Sequence, residues 1–214
     1  MITDNRHKPL DINETYRQAI EVLRAGGIVA LPTDTVYGLV AVAADRAAVE
    51  RVYQAKARAA QQPLPIFVAS VEQAELIADV NDVARRLMQR FWPGALTVVL
   101  PMTPSYDTRA AAGGDTIGVR APGDPMLREL ASQLGPLTGT SANIAGRKEC
   151  HTAAEVHAQL GDTVHLIVDA PVDATGQPST IVDCTEPGRV RVLREGAILR
   201  AAIAEALDGV ADLV

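Results

Sequence analysis

A polar cluster at the end of a short apolar run constrains this chain more than any other feature. Residues 28–31 read Ile-Val-Ala-Leu after Gly26-Gly27, which predicts a buried strand. Pro32 ends that strand because proline has no N–H for the ladder, and four polar side chains follow before an apolar run at 39–43. Strand ends in open α/β sheets are where ligands bind, and buried polar groups need partners. The stretch 32–39 is therefore either a simple turn or part of a binding site.

Apolar runs alternate with amphipathic segments along the chain, which predicts an α/β fold. The last two predicted strands have a short link with no helix, so we expect them to be antiparallel. We therefore predict a single domain, residues 1–214, with a twisted sheet of mixed parallel and antiparallel strands that is flanked by helices. The predicted strands are 28–31, 39–43, 64–69, 95–100, 116–121, 164–168, 180–184 and 189–194, and the predicted helices include 81–91, 125–134 and 199–207.

Composition limits the class of protein. The chain has 214 residues, of which 48% are hydrophobic and 21% charged, as in an ordinary globular domain. A net charge of −6 argues against a surface that coats nucleic acid, although it does not exclude a local basic patch. No apolar stretch approaches the roughly 20 residues of a membrane span, and residues 1–11 lack a signal segment, so we expect a cytoplasmic protein with no membrane partner. Cys150 and Cys184 are expected to be reduced thiols, and Cys150-His151 is a poor zinc site because no second pair is nearby.

Standard nucleotide and hydrolase motifs are absent from the sequence. Gly113 and Gly118 have the spacing of a Walker loop, but Val119-Arg120 follows where a lysine and a hydroxyl are required. No G-x-G-x-x-G opens a helix after a strand, and no G-x-S-x-G is present. These observations argue against a Walker-type nucleotide site, a dinucleotide-binding site and a serine hydrolase.

Several residues have chemistry that suits a phosphate ligand. Lys56 and Arg58 follow a predicted helix, and both can reach one polyphosphate only if the helix has ended near Lys56. Ser141 and Asn143 offer a hydroxyl and an amide beyond a predicted strand, and Arg120 ends another. Each has an ordinary alternative: a solvated helix end, a simple turn and a surface ion pair, respectively.

Taken together, these residues resemble the YrdC-like family of threonylcarbamoyl-AMP synthases, which begin the t6A modification of tRNA. The resemblance covers about residues 15–200. Its motifs, in order, are Pro32-Thr33-Asp34-Thr35-Val36-Tyr37-Gly38-Leu39, Lys56-x-Arg58, Pro63-Leu64, Phe91-Trp92-Pro93-Gly94-x-Leu96-Thr97, Gly118-Val119-Arg120-x-Pro122, Ser141-Ala142-Asn143, Ser179-Thr180-Ile181-Val182-Asp183 and Arg194-x-Gly196.

The resemblance implies a nucleotidyltransferase with a concave, basic cavity. L-threonine, bicarbonate or CO2, and ATP would give threonylcarbamoyl-AMP and pyrophosphate, with Mg2+ held mainly by the nucleotide and no metal held by protein ligands. The product would pass to a downstream threonylcarbamoyl-transferase complex, and weak tRNA binding is a further expectation. Lys56 and Arg58 would be catalytic, by stabilising charge on the reacting phosphate. The implied threonine contacts are Thr35, Arg120 and Ser179, and the implied ATP contacts are Lys56, Arg58, Gln62, Thr116, Ser141, Asn143 and Arg194.

The chain also departs from the family pattern. Ala59-Ala60 follows Arg58 where the family usually has proline, which leaves open whether the helix ends at Lys56 or continues through Ala60. Phe67 stands where some relatives have histidine near the threonine pocket. The length resembles that of the short form without a C-terminal domain. Two rival hypotheses stay open: an RNA-binding module, and a sister branch of the same fold with an unassigned activity.

Overall fold

The computed structural model describes residues 12–170 and 177–214. These residues form seven α-helices, eleven β-strands and two short 3₁₀ helices, at Arg109–Ala111 and Gly161–Thr163. The helices are α1 (Ile12–Arg24), α2 (Arg46–Ala55), α3 (Val71–Glu75), α4 (Asp82–Phe91), α5 (Pro125–Leu134), α6 (Ala153–Leu160) and α7 (Arg200–Leu207). The strands are β1 (Val29–Leu31), β2 (Gly38–Val40), β3 (Ile66–Phe67), β4 (Leu96–Pro101), β5 (Thr116–Arg120), β6 (Leu137–Thr138), β7 (Thr140–Ser141), β8 (Leu166–Ile167), β9 (Thr180–Asp183), β10 (Arg189–Arg194) and β11 (Asp212–Leu213).

The strands form two mixed sheets. One has the order β7-β2-β1-β8, and the other has the order β11-β10-β9-β4-β5-β3-β6. In the larger sheet β4 is parallel to β9 and antiparallel to β5, and β9 is antiparallel to β10 as expected from their short link. The prediction of a mixed α/β fold is confirmed, and the strands are distributed over two sheets rather than one.

The polar cluster of the opening motif connects β1 to β2. These strands are antiparallel, with Leu31 opposite Gly38. The Thr33 hydroxyl accepts hydrogen bonds from the backbone N–H groups of Thr35 (3.0 Å) and Val36 (3.3 Å) and donates to the Val36 carbonyl (2.7 Å). This local network holds the connection together, and Thr33 is buried, with 4% of its surface exposed. The connection is a turn between two antiparallel strands, which is one of the two alternatives that the sequence left open.

The core that supports the larger sheet is aliphatic. Helix α4 is a representative element, because its buried residues Val83, Ala84, Leu87 and Met88 recur at helical spacing on one face. The Asn81 side chain caps the helix by accepting from the N–H of Ala84 at 2.9 Å. Full burial of each large apolar side chain contributes on the order of 2 kcal/mol to stability. The helix therefore holds the sheet through packing rather than through surface charge.

None of the described helices is long and apolar enough to cross a membrane.

Candidate active site

A cavity of about 330 Å³ is lined by strands of both sheets. The smaller sheet contributes β2 and β7, and the larger sheet contributes β3, β4, β5, β9 and β10. Its charged lining consists of three arginines and one carboxylate, Glu149, among the described residues. Most of the predicted site residues lie here: Thr35, Arg58, Thr116, Arg120, Ser141, Ser179 and Arg194.

Arg120 is a buried anchor of this cavity rather than half of a surface ion pair. Its side chain is 5% exposed and pairs with the Asp34 carboxylate at 2.6 Å. Its Nε donates to the Gly94 carbonyl at 2.9 Å, and NH1 donates to the Thr35 hydroxyl at 3.2 Å. Burial lowers the pKa of the Arg120 guanidinium, and Asp34 opposes that shift. A guanidinium has five N–H groups, and two of these have no acceptor within residues 12–170 and 177–214. Arg120 can therefore still bind a ligand carboxylate.

The hydroxyls beside Arg120 form a connected pair. The hydroxyl oxygens of Thr33 and Thr35 are 2.9 Å apart, and both side chains line the cavity. Thr35 is thus held between Thr33, in the connection between β1 and β2 of the smaller sheet, and Arg120, at the end of β5 in the larger sheet. The structure therefore brings Thr35 and Arg120 together at one end of the cavity.

A second group of hydrogen-bonded polar side chains lines one wall of the cavity. The hydroxyl oxygens of Thr97 and Ser179 are 3.0 Å apart. Arg194 donates to the Ser179 carbonyl from Nε (3.1 Å) and NH2 (2.8 Å) and to the Ser179 hydroxyl from NH2 (3.2 Å). Burial lowers the pKa of Arg194, and the negative charge of Glu149 raises it. The arrangement places one cation and two hydroxyls in the same wall.

The end of helix α2 determines where Lys56 and Arg58 point. The helix stops at Ala55 with Lys56 as its C-cap, and Ala57 takes a left-handed conformation with φ of 47°. The N–H of Ala57 bonds to the Gln54 carbonyl and that of Arg58 to the Tyr53 carbonyl, each at 3.0 Å. This is a Schellman motif, which normally has glycine at the left-handed position. The helix does not continue through Ala60.

Although the helix ends where a shared phosphate site would require, the two cations diverge in this structure. Arg58 lines the cavity and donates to the Pro63 carbonyl at 3.0 Å and to the Gln62 carbonyl at 3.4 Å. Lys56 is 2% exposed, and its ammonium donates to the carbonyls of Asn143 (2.7 Å) and Ser141. Burial lowers the pKa of Lys56 to about 8, and Arg58 adds to that shift.

Three predicted ATP contacts are not among the described residues that line the cavity: Lys56, Gln62 and Asn143. Gln62 is exposed, and its carbonyl accepts from the Tyr53 hydroxyl at 2.9 Å. The Asn143 amide donates to the carbonyls of Ile144 (3.0 Å) and Arg147 (2.7 Å), while its Oδ1 is buried with no partner in the described part of the chain. Lys56 and Asn143 are buried outside the cavity lining, so their direct contact with a nucleotide requires local movement, whereas Gln62 is exposed outside that lining.

Several residues that line the cavity had no role assigned from the sequence, among them Thr33, Phe67, Thr97 and Glu149. Thr97 interrupts the apolar run 95–100, and this interruption was a usable signal. Glu149 is half-buried and raises the pKa of both Lys56 and Arg194, but nothing in its local sequence points to a cavity. Its position depends on the fold of the segment after Asn143.

Within residues 12–170 and 177–214 there is no group of three or more His, Cys, Asp or Glu side chains that could hold a metal ion. Cys150 and Cys184 are both free and buried. Burial raises the pKa of Cys184 to about 12, so this thiol stays protonated near neutral pH.

Comparison with known proteins agrees with this geometry. The Sua5/YciO/YrdC family model, described as telomere recombination, matches residues 21–196. The threonylcarbamoyl-AMP synthase of Bacillus subtilis (strain 168) is 38% identical over 195 residues, which are 90% of this chain and 56% of that protein. A putative threonylcarbamoyl-AMP synthase of Mycobacterium leprae (strain TN) is 38% identical over 190 residues, which are 88% of this chain and 86% of that protein.

A solved structure gives the same result. Pyrococcus abyssi Sua5 complexed with L-threonine superimposes with a TM-score of 0.87 at 34% identity, covering 97% of this chain and 61% of that chain. The chain thus spans little more than half of the Bacillus and Pyrococcus relatives but most of the Mycobacterium relative. The match of the family model over most of the sequence, with these relatives, shows that this chain belongs to the Sua5/YciO/YrdC family.

Proposed function

We propose that this protein is a threonylcarbamoyl-AMP synthase, a nucleotidyltransferase that begins tRNA t6A37 modification. It converts L-threonine, bicarbonate or CO2, and ATP to L-threonylcarbamoyladenylate and pyrophosphate. The observation that carries the proposal is the cavity, in which Arg120 and Thr35 form one polar group and Ser179 and Arg194 form another. An amino acid and a polyphosphate both require cations and hydroxyls of this kind.

The first chemical step joins threonine to the carbon donor. The neutral amine attacks CO2, which forms an N–C bond and releases one proton to water, or it condenses with bicarbonate and releases water. The two unused N–H groups of Arg120 are suited to the threonine carboxylate, and the Thr35 and Ser179 hydroxyls are suited to its polar atoms. These residues orient the amino acid, and none of them acts as a covalent nucleophile.

The second step transfers the adenylyl group. An oxygen of the new carboxylate attacks the α-phosphorus of ATP, and the bond to the bridging oxygen breaks as pyrophosphate leaves. Charge on the phosphates must be stabilised, and Arg58 and Arg194 are the cavity cations available after Arg120 is assigned to threonine. Arg58 now donates to two carbonyls of its own loop, so exchange to phosphate oxygens loses little.

The remaining proposed ATP contacts differ in whether they already line the cavity. Thr116 and Ser141 already line the cavity. Lys56 is proposed to add positive charge from behind Ser141, and a shift of the 141–143 segment would bring it and Asn143 to the phosphates. Gln62 needs a similar movement of the loop that Arg58 now holds. ATP is proposed to enter as its magnesium complex, with the metal held mainly by the phosphates.

The setting of the reaction follows from the product. A mixed anhydride of this kind is reactive, so we propose that it passes to a threonylcarbamoyl-transferase complex in the cytoplasm. We also propose that the chain forms one domain, because the cavity takes side chains from both sheets.

Direct tRNA binding would be weak at the net charge of −6. A gel shift at two salt concentrations tests it, since phosphate contacts weaken steeply with salt.

The proposed function is tested by incubating the protein with ATP, bicarbonate and labelled threonine. The expected result is threonine-dependent pyrophosphate and a labelled adenylated product. Release of pyrophosphate with another amino acid, but not with threonine, would keep the reaction class and overturn the substrate. An absence of any amino-acid-dependent pyrophosphate would overturn the class.

A further inference from the structure

We infer that Phe67 determines the preference for threonine over serine, by forming an apolar wall against the methyl group that serine lacks. The inference rests on the proposed function and adds a specificity residue to the proposed threonine pocket. Phe67 carries no hydrogen-bonding group, lies in β3 and lines the cavity with 3% of its surface exposed. It is one of only two phenylalanines in the chain.

The backbone places this ring beside the proposed carboxylate anchor. Phe67 and Arg120 are direct partners in the parallel pairing of β3 with β5. The N–H of Val68 bonds to the Arg120 carbonyl at 2.9 Å, which fixes the register. The Arg120 guanidinium lies 5.7 Å from the centre of the Phe67 ring. An amino acid held by Arg120 therefore has its side chain within reach of the ring.

The backbone of Gly139 packs closely against the ring. A Cβ atom on Gly139 would lie 2.5 Å from Cδ1 and Cε1 of Phe67, so the ring lies directly against that backbone. A Cβ atom on Gly38 would lie 3.8 Å from Cε2 of the ring and 2.8 Å from Cγ2 of Thr33. Gly139 therefore cannot be enlarged without displacing the ring, whereas a side chain on Gly38 would displace the Thr33 methyl group and only touch the ring. This is a fixed surface rather than a side chain free to move away.

The ring is an apolar partner beside the polar groups at this end of the cavity. Thr35 and Arg120 present a hydroxyl and N–H groups, which suit the carboxylate and the hydroxyl of threonine. The γ-methyl group gains nothing from those polar groups and is best placed against the ring. One methyl group in such a pocket typically changes kcat/KM by about 10- to 200-fold. Phe67 can therefore account for discrimination between the two amino acids.

The test compares kcat/KM for threonine and for serine, measured as pyrophosphate release at saturating ATP. Phe67→Ala removes the wall and is expected to lower the threonine-to-serine ratio about 10-fold or more. Phe67→Val, which suits a strand, should lower it in the same direction, and Phe67→Leu should retain it within about threefold. Phe91→Ala is the matched control, because it removes the other phenyl ring from outside the cavity, and it should leave the ratio unchanged.

Each outcome decides the inference. If Phe67→Ala or Phe67→Val lowers both rates equally and leaves the ratio unchanged, the ring has only a structural role and the inference is overturned. If Phe67→Ala does not fold, Phe67→Val against Phe67→Leu gives the same decision. Calorimetric binding of threonine and serine without ATP is the second readout, with the same expected loss of preference. Failure of the proposed function would differ, because the wild-type protein would then release no threonine-dependent pyrophosphate.

Discussion

Arg120 donates to the Thr35 hydroxyl at 3.2 Å, across 85 residues of sequence, while its NH2 pairs with Asp34 at 2.6 Å. This contact ties the connection between β1 and β2 to the end of β5, and thereby joins the two sheets at the cavity. A residue that joins two sheets and is proposed to bind substrate should affect stability as well as activity when it is changed.

Replacing Arg120 with alanine should lower the free energy of unfolding by about 3 kcal/mol. That is the low end for a broken buried pair, because the Asp34 side chain keeps 20% of its exposure to water. Urea denaturation measures the change. Arg189→Ala is the matched control, since Arg189 and Glu186 form an exposed pair (51% and 64% exposed), and it should cost less than about 1 kcal/mol. Equal losses in the two variants would contradict the role of Arg120 as a buried anchor.

The lowered pKa of Lys56 leads to a prediction of how the free energy of unfolding depends on pH. Burial lowers its pKa from 10.5 to about 8 in the folded state, so between these values the unfolded chain binds more protons than the folded chain. The free energy of unfolding of the wild type, relative to Lys56→Met, should therefore rise as the pH increases from 8 to 10.5. The rise should be at most about 3 kcal/mol, because the two carbonyl acceptors favour the charged form. A difference that stays flat or falls over this range would show that the ammonium is not destabilised by burial.

The left-handed Ala57 predicts a stabilising substitution. An alanine at φ of 47° is strained, and glycine is not, so Ala57→Gly should raise the free energy of unfolding by about 0.5–1 kcal/mol. Ala59→Gly is the control two residues away, where φ is not positive, and it should lower stability by up to about 1 kcal/mol. Thermal or urea denaturation of both variants checks the opposite signs. Two changes of the same sign would contradict the Schellman geometry at the end of α2.

Glu149 should weaken ATP binding at low Mg2+ concentration. It is the carboxylate among the described residues of the cavity lining, and it shares that lining with Arg58 and Arg194. One unit charge about 8 Å from a phosphate contributes about 0.5–2 kcal/mol, so Glu149→Gln should lower the KM for ATP about two- to thirtyfold. Glu205→Gln removes an exposed charge on α7, outside the cavity, and should leave that KM unchanged. A higher KM in Glu149→Gln would instead assign the carboxylate to binding the magnesium complex.

Sequence patterns predicted long elements well and short ones poorly. Helix 125–134 and strand 189–194 were predicted with the observed bounds, because Asp124 caps the helix, Gly135 ends it, and the strand alternates buried and exposed residues. The predicted strand 64–69 is only Ile66–Phe67: before it the Leu64 N–H bonds to the Ala110 carbonyl, and after it the Ala69 N–H bonds to the Gln73 side chain, both outside the sheets. The division into two sheets depends on distant pairings such as that of β2 with β7, which no local pattern reveals.

The same limit applies to the site. The local pattern left a solvated helix end open for Arg58 and a surface ion pair open for Arg120; the family resemblance implied ligand contacts for both, and both line the cavity. The sequence did not predict that the Lys56 ammonium turns toward the carbonyls of Ser141 and Asn143, because these acceptors lie 85 and 87 residues away in the chain. The end of a helix can be predicted from neighbours, whereas the direction of a long side chain depends on distant acceptors.

The most direct measurement is formation of threonylcarbamoyladenylate in a single turnover, detected by mass spectrometry, in the wild type and in Arg58→Ala. Arg120 is proposed to bind threonine, and Arg58 is proposed to bind the phosphates. We predict product in the wild type, and in Arg58→Ala a rate at least about 100-fold lower with calorimetric threonine affinity unchanged. A wild-type protein that makes no such product from threonine, bicarbonate and ATP would contradict the account.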